Sequence, residues 1–140
     1  MSTSTWQDEA AKAVNALHKP FVPGFEGMFD RDDFGGLYNA AKDYMIKNVP
    51  GWNVDTLVSF LASKQRDYGP QNITKFGIQG LKVRMWDKIA RINNLVAQGR
   101  EPSNESLVDS YVDLMGYCVI AVMVTNGTFN TPLAPEVEPF

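Results

Sequence analysis

Glu105, Asp109 and Asp113 are three carboxylates set four residues apart. On an α-helix that spacing stacks them in one stripe, each about 40° round from the last. Oxygen ligands so placed suit a hard cation such as Mg²⁺, which takes carboxylates and keeps several waters. The opposite, wider face of the same helix is filled by Leu107, Val108, Tyr111, Val112, Leu114, Met115, Cys118, Val119 and Val122. Gly116 and Ile120 continue the acidic line into apolar sequence. Carboxylates that border a core in this way need partners, either basic side chains or a metal ion.

Cations stand upstream. Lys64, Arg66, Asp67 and Tyr68 precede Gly69, and Lys82, Arg84, Asp87, Lys88 and Arg91 follow it. Arg84, Asp87, Lys88 and Arg91 share one side of a helix, and Asp87 and Arg91, four apart, can pair along it. Set across a cleft from the acids, these residues make a pocket of mixed charge. Lys64, Lys88 and Arg91 there suit phosphates, Arg by a bidentate fork and Lys as a point charge. The competing reading is a lattice of interhelical ion pairs that fixes register and binds nothing.

Other chemistries find little support. His18 is the only histidine and stands just before Pro20, at a helix end, where a surface or C-terminal charge is the ordinary role. Cys118 is the only cysteine and lies in the most apolar run, which makes it a buried structural thiol and excludes an intrachain disulfide. No phosphate-cradling P-loop or dinucleotide glycine fingerprint is present, since 77–80 (GIQG) is too short. Asp30, Asp32 and Asp33 lack the later acid and the glycine position of a calcium loop and fit a polar turn into the next helix. A net charge of −3 and a pI near 5.1 argue against broad nucleic-acid or anionic-membrane binding. The run 117–124 is too short to span a bilayer and the first eight residues lack a secretion signal, so the expected location is cytoplasmic.

The elements that must position these residues follow from periodicity. Ser4 or Thr5 caps a first helix reaching about His18, with Trp6, Ala10, Ala13, Val14 and Leu17 on one side. Residues 21–36 read as a loop whose Phe21, Phe25 and Phe29 tuck against helices. Further helices are expected at 37–48, 54–68 (capped by Asn53 or Asp55), 78–98 and 104–125 (capped by Asn104), with a loop over 71–77. Gly69-Pro70 and Gly99 supply the stops. The fold class expected is all-α, an antiparallel helical bundle with 54–68, 78–98 and 104–125 as its kernel. Residues 1–53 then pack on a core of 54–125, and 126–140 form an extended, proline-rich tail, loose or laid over a neighbour. Three helices cover Trp86, Met115 and Met123 poorly, which points to an oligomer or to cover from the N-terminal helices.

Three pieces in order, 64–69 (KQRDYG), 87–91 (DKIAR) and 105–114 (ESLVDSYVDL), resemble the nucleotide modification associated domain 1 family, over about residues 55–124. That family is common in bacteriophages, which would place the protein in the host cytoplasm, and is similar to the MazG-like all-α nucleoside triphosphate pyrophosphohydrolases. The resemblance implies a helical bundle, usually a homo-oligomer, in which ExxE on one helix and ExxD on a later one hold Mg²⁺. The ion bridges the phosphates, and cleavage between the α and β phosphorus atoms yields a monophosphate and pyrophosphate. This chain departs from the pattern: where ExxE belongs it carries Lys64 and Asp67, then Asp87, Lys88 and Arg91. Asp113 matches the final aspartate, and Asp109 stands near the glutamate position.

The expected function is thus a Mg²⁺-dependent nucleotide pyrophosphohydrolase-like protein acting on (deoxy)nucleoside triphosphates. Asp109 and Asp113 are its catalytic pair, joined by Glu105 and Asp87 as metal ligands. Lys64, Asp67, Tyr68, Arg84, Lys88 and Arg91 contact substrate, with Tyr68 on the base or sugar. The rival expectations are a non-catalytic nucleotide-binding module, motivated by the missing ExxE, and a helical oligomeric interaction protein.

Overall fold

The structure, a computed structural model, describes residues 3–17, 25–99 and 106–135. Its described elements are all helices: α1 (Trp6–Asn15), α2 (Phe25–Asp30), α3 (Phe34–Asn48), α4 (Val54–Tyr68), α5 (Gln71–Thr74), α6 (Gly77–Gln98) and α7 (Leu107–Asn126). The long ones start where a short polar side chain can take an orphan backbone N–H. Thr5 and Asp8 form a capping box on α1, and the N–H and hydroxyl of Thr5 hold the Asp8 carboxyl below its usual range. Asp33 caps α3 and Asn53 caps α4. Gly69 ends α4, while Gly99 and Gly127 end α6 and α7 in the left-handed conformation.

Several boundaries differ from expectation. α7 is capped by Ser106, whose hydroxyl accepts from the Asp109 N–H at 3.2 Å, and starts at Leu107 instead of 104. The expected cap Asn104, along with Glu105, His18 and Phe21, lies outside the described residues. The stretches read as loops over 21–36 and 71–77 each contain a short helix. In α2, Phe25, Met28 and Phe29 recur at helical spacing, with Met28 buried, Phe25 against Tyr111 and Phe29 against Trp86. In α5 a single turn follows Pro70 and buries Ile73. α3 starts three residues early, taking in Gly35 and Gly36. A Cβ on Gly36 would lie 2.6 Å from both Met28 Sδ and Asp33 Oδ2, so a side chain there would have to push Met28 and the capping Asp33 aside.

α7 is the axis of the bundle, and α6 and α3 pack most extensively on it. Lys88 pairs with Asp113, and Arg91 with Ser110 and Ser106, so sequence numbers rise on one helix as they fall on the other. α6 and α7 are therefore antiparallel. The expected kernel needs one correction: α3, not α4, is the third helix packed on the axis. α3 buries Leu37, Tyr38, Ala41 and Met45 in one stripe, whereas α4 packs chiefly on α1 and meets α7 lightly. One hydrophobic cluster draws buried residues from every helix and from Phe129. Met115 and Met123 are fully covered within the chain, while Trp86 stays 38% exposed. By length and composition α7 as a whole could cross a membrane, unlike the shorter run 117–124, but it sits at the centre of this helical core. Beyond α7 the chain folds back over α1: the Trp6 N–H donates to the Pro132 carbonyl and the Ala134 N–H to Gln7 Oε1.

Tyr38 is 2% exposed, and its hydroxyl meets no hydrogen-bond partner among the described residues. Burial, with a smaller contribution from Cys118, pushes its ionisation up to about 12. An unfolded tyrosine loses its proton near pH 10. Between pH 10 and 12 the unfolded chain therefore binds fewer protons than the folded one, and stability falls as pH rises. Tyr38→Phe removes both the orphan hydroxyl and this linkage. Urea unfolding should show the variant about 1 kcal/mol more stable at pH 7, with an advantage that widens above pH 10. A variant less stable at both values would show that the hydroxyl is satisfied in solution.

Candidate functional site

The light contact between α4 and α7 leaves a cleft, because the two helices touch where Leu61 packs on Gly116. A Cβ there would lie 2.7 Å from Leu61 Cδ2. Two lobes of this cleft adjoin and share Phe60, Lys64 and Asp113. The first, about 240 Å³, runs towards α5 and α6 and adds Gln65, Tyr68, Asn72, Arg84 and Tyr117. Leu61, Ile73, Gly116 and Ile120 are its apolar wall, so the line of Gly116 and Ile120 beyond the acids does face the site. The second, about 430 Å³, runs towards the connection between α3 and α4. It adds Trp52, Thr56, Val108, Asp109 and Val112, with Met45, Val49 and Leu57 behind them. Pockets that take small molecules span roughly 300–1,000 Å³.

Charge is concentrated where the lobes meet. The Lys64 ammonium sits 5.4 Å from the centroid of the Phe60 ring, one helical turn back, which favours the cation at the boundary. Asp113 answers from α7, and its Oδ2 lies 2.9 Å from Lys88 Nζ, each side chain about a fifth exposed (21% and 19%). Lys88 thus neutralises Asp113 from the α6 side and fixes the carboxylate at the cleft wall. Arg91 does a different job. Its guanidinium donates to the Ser110 hydroxyl at 2.6 Å and the Ser106 carbonyl at 3.2 Å, tying α6 to the first turn of α7. Arg84 reaches the Asn72 carbonyl at 3.5 Å, at the limit of a hydrogen bond, and lines the first lobe.

Of the residues singled out in the sequence, the fold brings Lys64, Tyr68, Arg84 and Asp113 to the first lobe and Lys64, Asp109 and Asp113 to the second. Asp67 and Asp87 are exposed and line neither lobe, and Lys88 and Arg91 support α7 from α6. Among the described residues no three His, Cys, Asp or Glu side chains gather closely enough to hold a metal by themselves. Asp109 and Asp113, one turn apart on the same wall, still suit Mg²⁺, which is usually bound through one or two carboxylates plus a substrate's phosphates.

Sequence reasoning missed Trp52, Thr56, Phe60, Gln65, Asn72 and Tyr117. A signal existed for Tyr117, which continues the acid stripe four residues beyond Asp113, and for Phe60, four residues before Lys64. Trp52 and Asn72 carry no periodic signal, since one sits just past the turn between α3 and α4 and the other in a single helical turn.

Set beside known proteins, residues 64–124 match the model of the nucleotide modification associated domain 1 family. The match covers the end of α4, all of α5 and α6, and most of α7, and so includes the first lobe except Phe60 and Leu61, and the α7 wall of the second. No curated protein and no solved structure matches the chain.

Proposed function

We propose that this protein binds a (deoxy)nucleoside triphosphate together with Mg²⁺ in the cleft between α4 and α7, and acts on it as a MazG-like pyrophosphohydrolase. One observation carries this: Lys64 and Arg84 line one lobe of the cleft with Asp113, and Lys64 lines the adjoining lobe with Asp109 and Asp113. Cations and carboxylates at one apolar-walled cavity suit a ligand with phosphates, an aromatic part and a bridging metal ion.

Each side chain has a role set by its place. Lys64 and Arg84 meet phosphate oxygens, Lys as a point charge and Arg through its planar fork. Asp109 and Asp113 would hold Mg²⁺, and the Lys88 contact keeps Asp113 turned to the wall from which it would do so. When bound, the ion supplies charge that offsets the phosphates and lowers the pKa of a coordinated water. Tyr68, 65% exposed at the rim of the first lobe, can fold over whatever fills it. Cleavage would fall between the α and β phosphorus atoms, as the resemblance to the MazG-like pyrophosphohydrolases implies. Incubating the protein with each triphosphate and Mg²⁺ should release pyrophosphate and the matching monophosphate, and no turnover of any of them would remove the enzymatic part of this reading.

A second reading, a nucleotide-binding module without turnover, is favoured by one specific feature. Asp87, the acid expected to add to the metal set from α6, is exposed and off the cleft. Tight nucleotide binding without pyrophosphate release would select it.

A further inference from the structure

The two ends of the cleft differ in character. In the first lobe two cations, Lys64 and Arg84, face one acid, Asp113. In the second, one cation faces two acids, Asp109 and Asp113, and the remaining surface is almost wholly apolar. Thr56 is the second lobe's remaining polar side chain, and its hydroxyl already donates to Asn53 Oδ1 at 3.2 Å. The phosphates are drawn towards the surplus cation of the first lobe, and a Mg²⁺ held through Asp113, which both lobes share, would meet them where the lobes join. A flat aromatic ring gains most in the second, where Trp52, Val49, Val108 and Val112 offer apolar surface.

Trp52 is built to receive such a ring. It follows the turn at Pro50 and Gly51, where Gly51 takes φ +79°, a left-handed conformation that other residues adopt only with strain. The Trp52 N–H donates to the Val49 carbonyl at 3.2 Å, and its half-buried ring packs against the core. The indole is therefore a fixed platform, not a mobile surface side chain.

We infer that the lobe lined by Trp52 is a nucleobase subsite, with the base stacked on the indole and the phosphate chain running past Lys64 towards Arg84. This rests on the nucleotide reading above and adds an orientation to it. Trp52 lies outside the matched stretch 64–124, so the residue that makes the ligand a nucleotide, and not merely a polyphosphate, comes from the other part of the chain.

The test is calorimetry on the intact chain with Mg²⁺, using adenosine triphosphate, thymidine triphosphate and inorganic tripolyphosphate as probes. The wild type should bind both nucleotides roughly ten- to a hundred-fold more tightly than tripolyphosphate, the size of one base–aromatic stack. Trp52→Ala should erase that ratio while leaving tripolyphosphate affinity unchanged, and Trp52→Phe should keep most of it. Trp52→Leu, which preserves apolar bulk against the core, should behave as the alanine variant does if the latter fails to fold. The subsite is overturned if the ratio survives in Trp52→Ala or Trp52→Leu. Loss of the ratio in Asn72→Ala, on the first lobe, would reverse the orientation and overturn it too. Equal wild-type binding of tripolyphosphate and nucleotides would sink the subsite but leave a phosphate site standing, whereas no binding of any probe would sink the nucleotide reading itself.

Discussion

Replacing Lys64 and Arg84 together with alanine should weaken triphosphate binding at least about a hundred-fold, with little change in stability. In the proposed complex each cation would form a charge-assisted contact with a phosphate, a class of bond that contributes about 1.5–3 kcal/mol. Every 1.4 kcal/mol is tenfold in affinity, so each single change alone should cost about ten-fold or more. Neither residue holds the fold. Lys64 is exposed, and Arg84 makes one long contact to the Asn72 carbonyl. Circular dichroism should show unchanged helix content and melting within a few degrees. Binding within about three-fold of wild type in the double variant would mean that the phosphates lie elsewhere. The same change should flatten the salt dependence of binding, because the removed charges are the ones that mobile ions screen.

Trp6→Ala should give the largest loss of stability of any change considered, about 3–5 kcal/mol. Trp6 is fully buried on α1, and its indole N–H donates to the Phe129 carbonyl at 3.0 Å while its ring meets that of Phe129 edge-on at 6.2 Å. Truncation opens a cavity and orphans a buried carbonyl, and it also loosens the fold-back that lays the chain after α7 over α1. Against a typical total of about 5–15 kcal/mol, that is roughly a third to a half of the stability of a chain near the middle of the range. Trp6→Phe should cost about 1–3 kcal/mol, chiefly from the unpaired carbonyl. Urea unfolding monitored by helix content reads both values. A loss under about 1 kcal/mol for the alanine variant would mean that α1 and the segment after α7 are not part of the cooperative core.

How legible all this was in the sequence depends on length and periodicity. The long helices stand out because Leu81, Met85, Ile89 and Ile92, or Trp6, Ala10 and Ala13, repeat at helical spacing and end at capping residues or glycines. The buried, inert Cys118 could also be read, and burial does push its thiol well above the usual range. α2 and α5 were missed because four to six residues hold too little periodicity to separate from a loop. Choosing α4 over α3 as the third packed helix came from weighing length and connection. What decides packing is which apolar stripe finds a complementary surface, and α3 carries Leu37, Ala41 and Met45 straight onto α7.

The site was half legible for the same reason. Spacing on α7 put Asp109 and Asp113 on one wall, and the chain order suggested cations across from them. It could not show that Lys88 and Arg91 would be used to hold α7 in place, leaving Lys64 and Arg84 on the cleft. Trp52 and Asn72 reach the cavity from connections, and where a connection lies is set by the helices it joins.

The central claim is that a nucleotide occupies the cleft between α4 and α7. Its most direct test is a heteronuclear NMR titration of the intact chain with a nucleoside triphosphate and Mg²⁺. Saturable shifts are expected at the backbone amides of Trp52, Lys64, Asn72, Arg84 and Asp113, with the amides of α1 unmoved. No saturable shift, or shifts gathered on α1 or the outer face of α6, would contradict it.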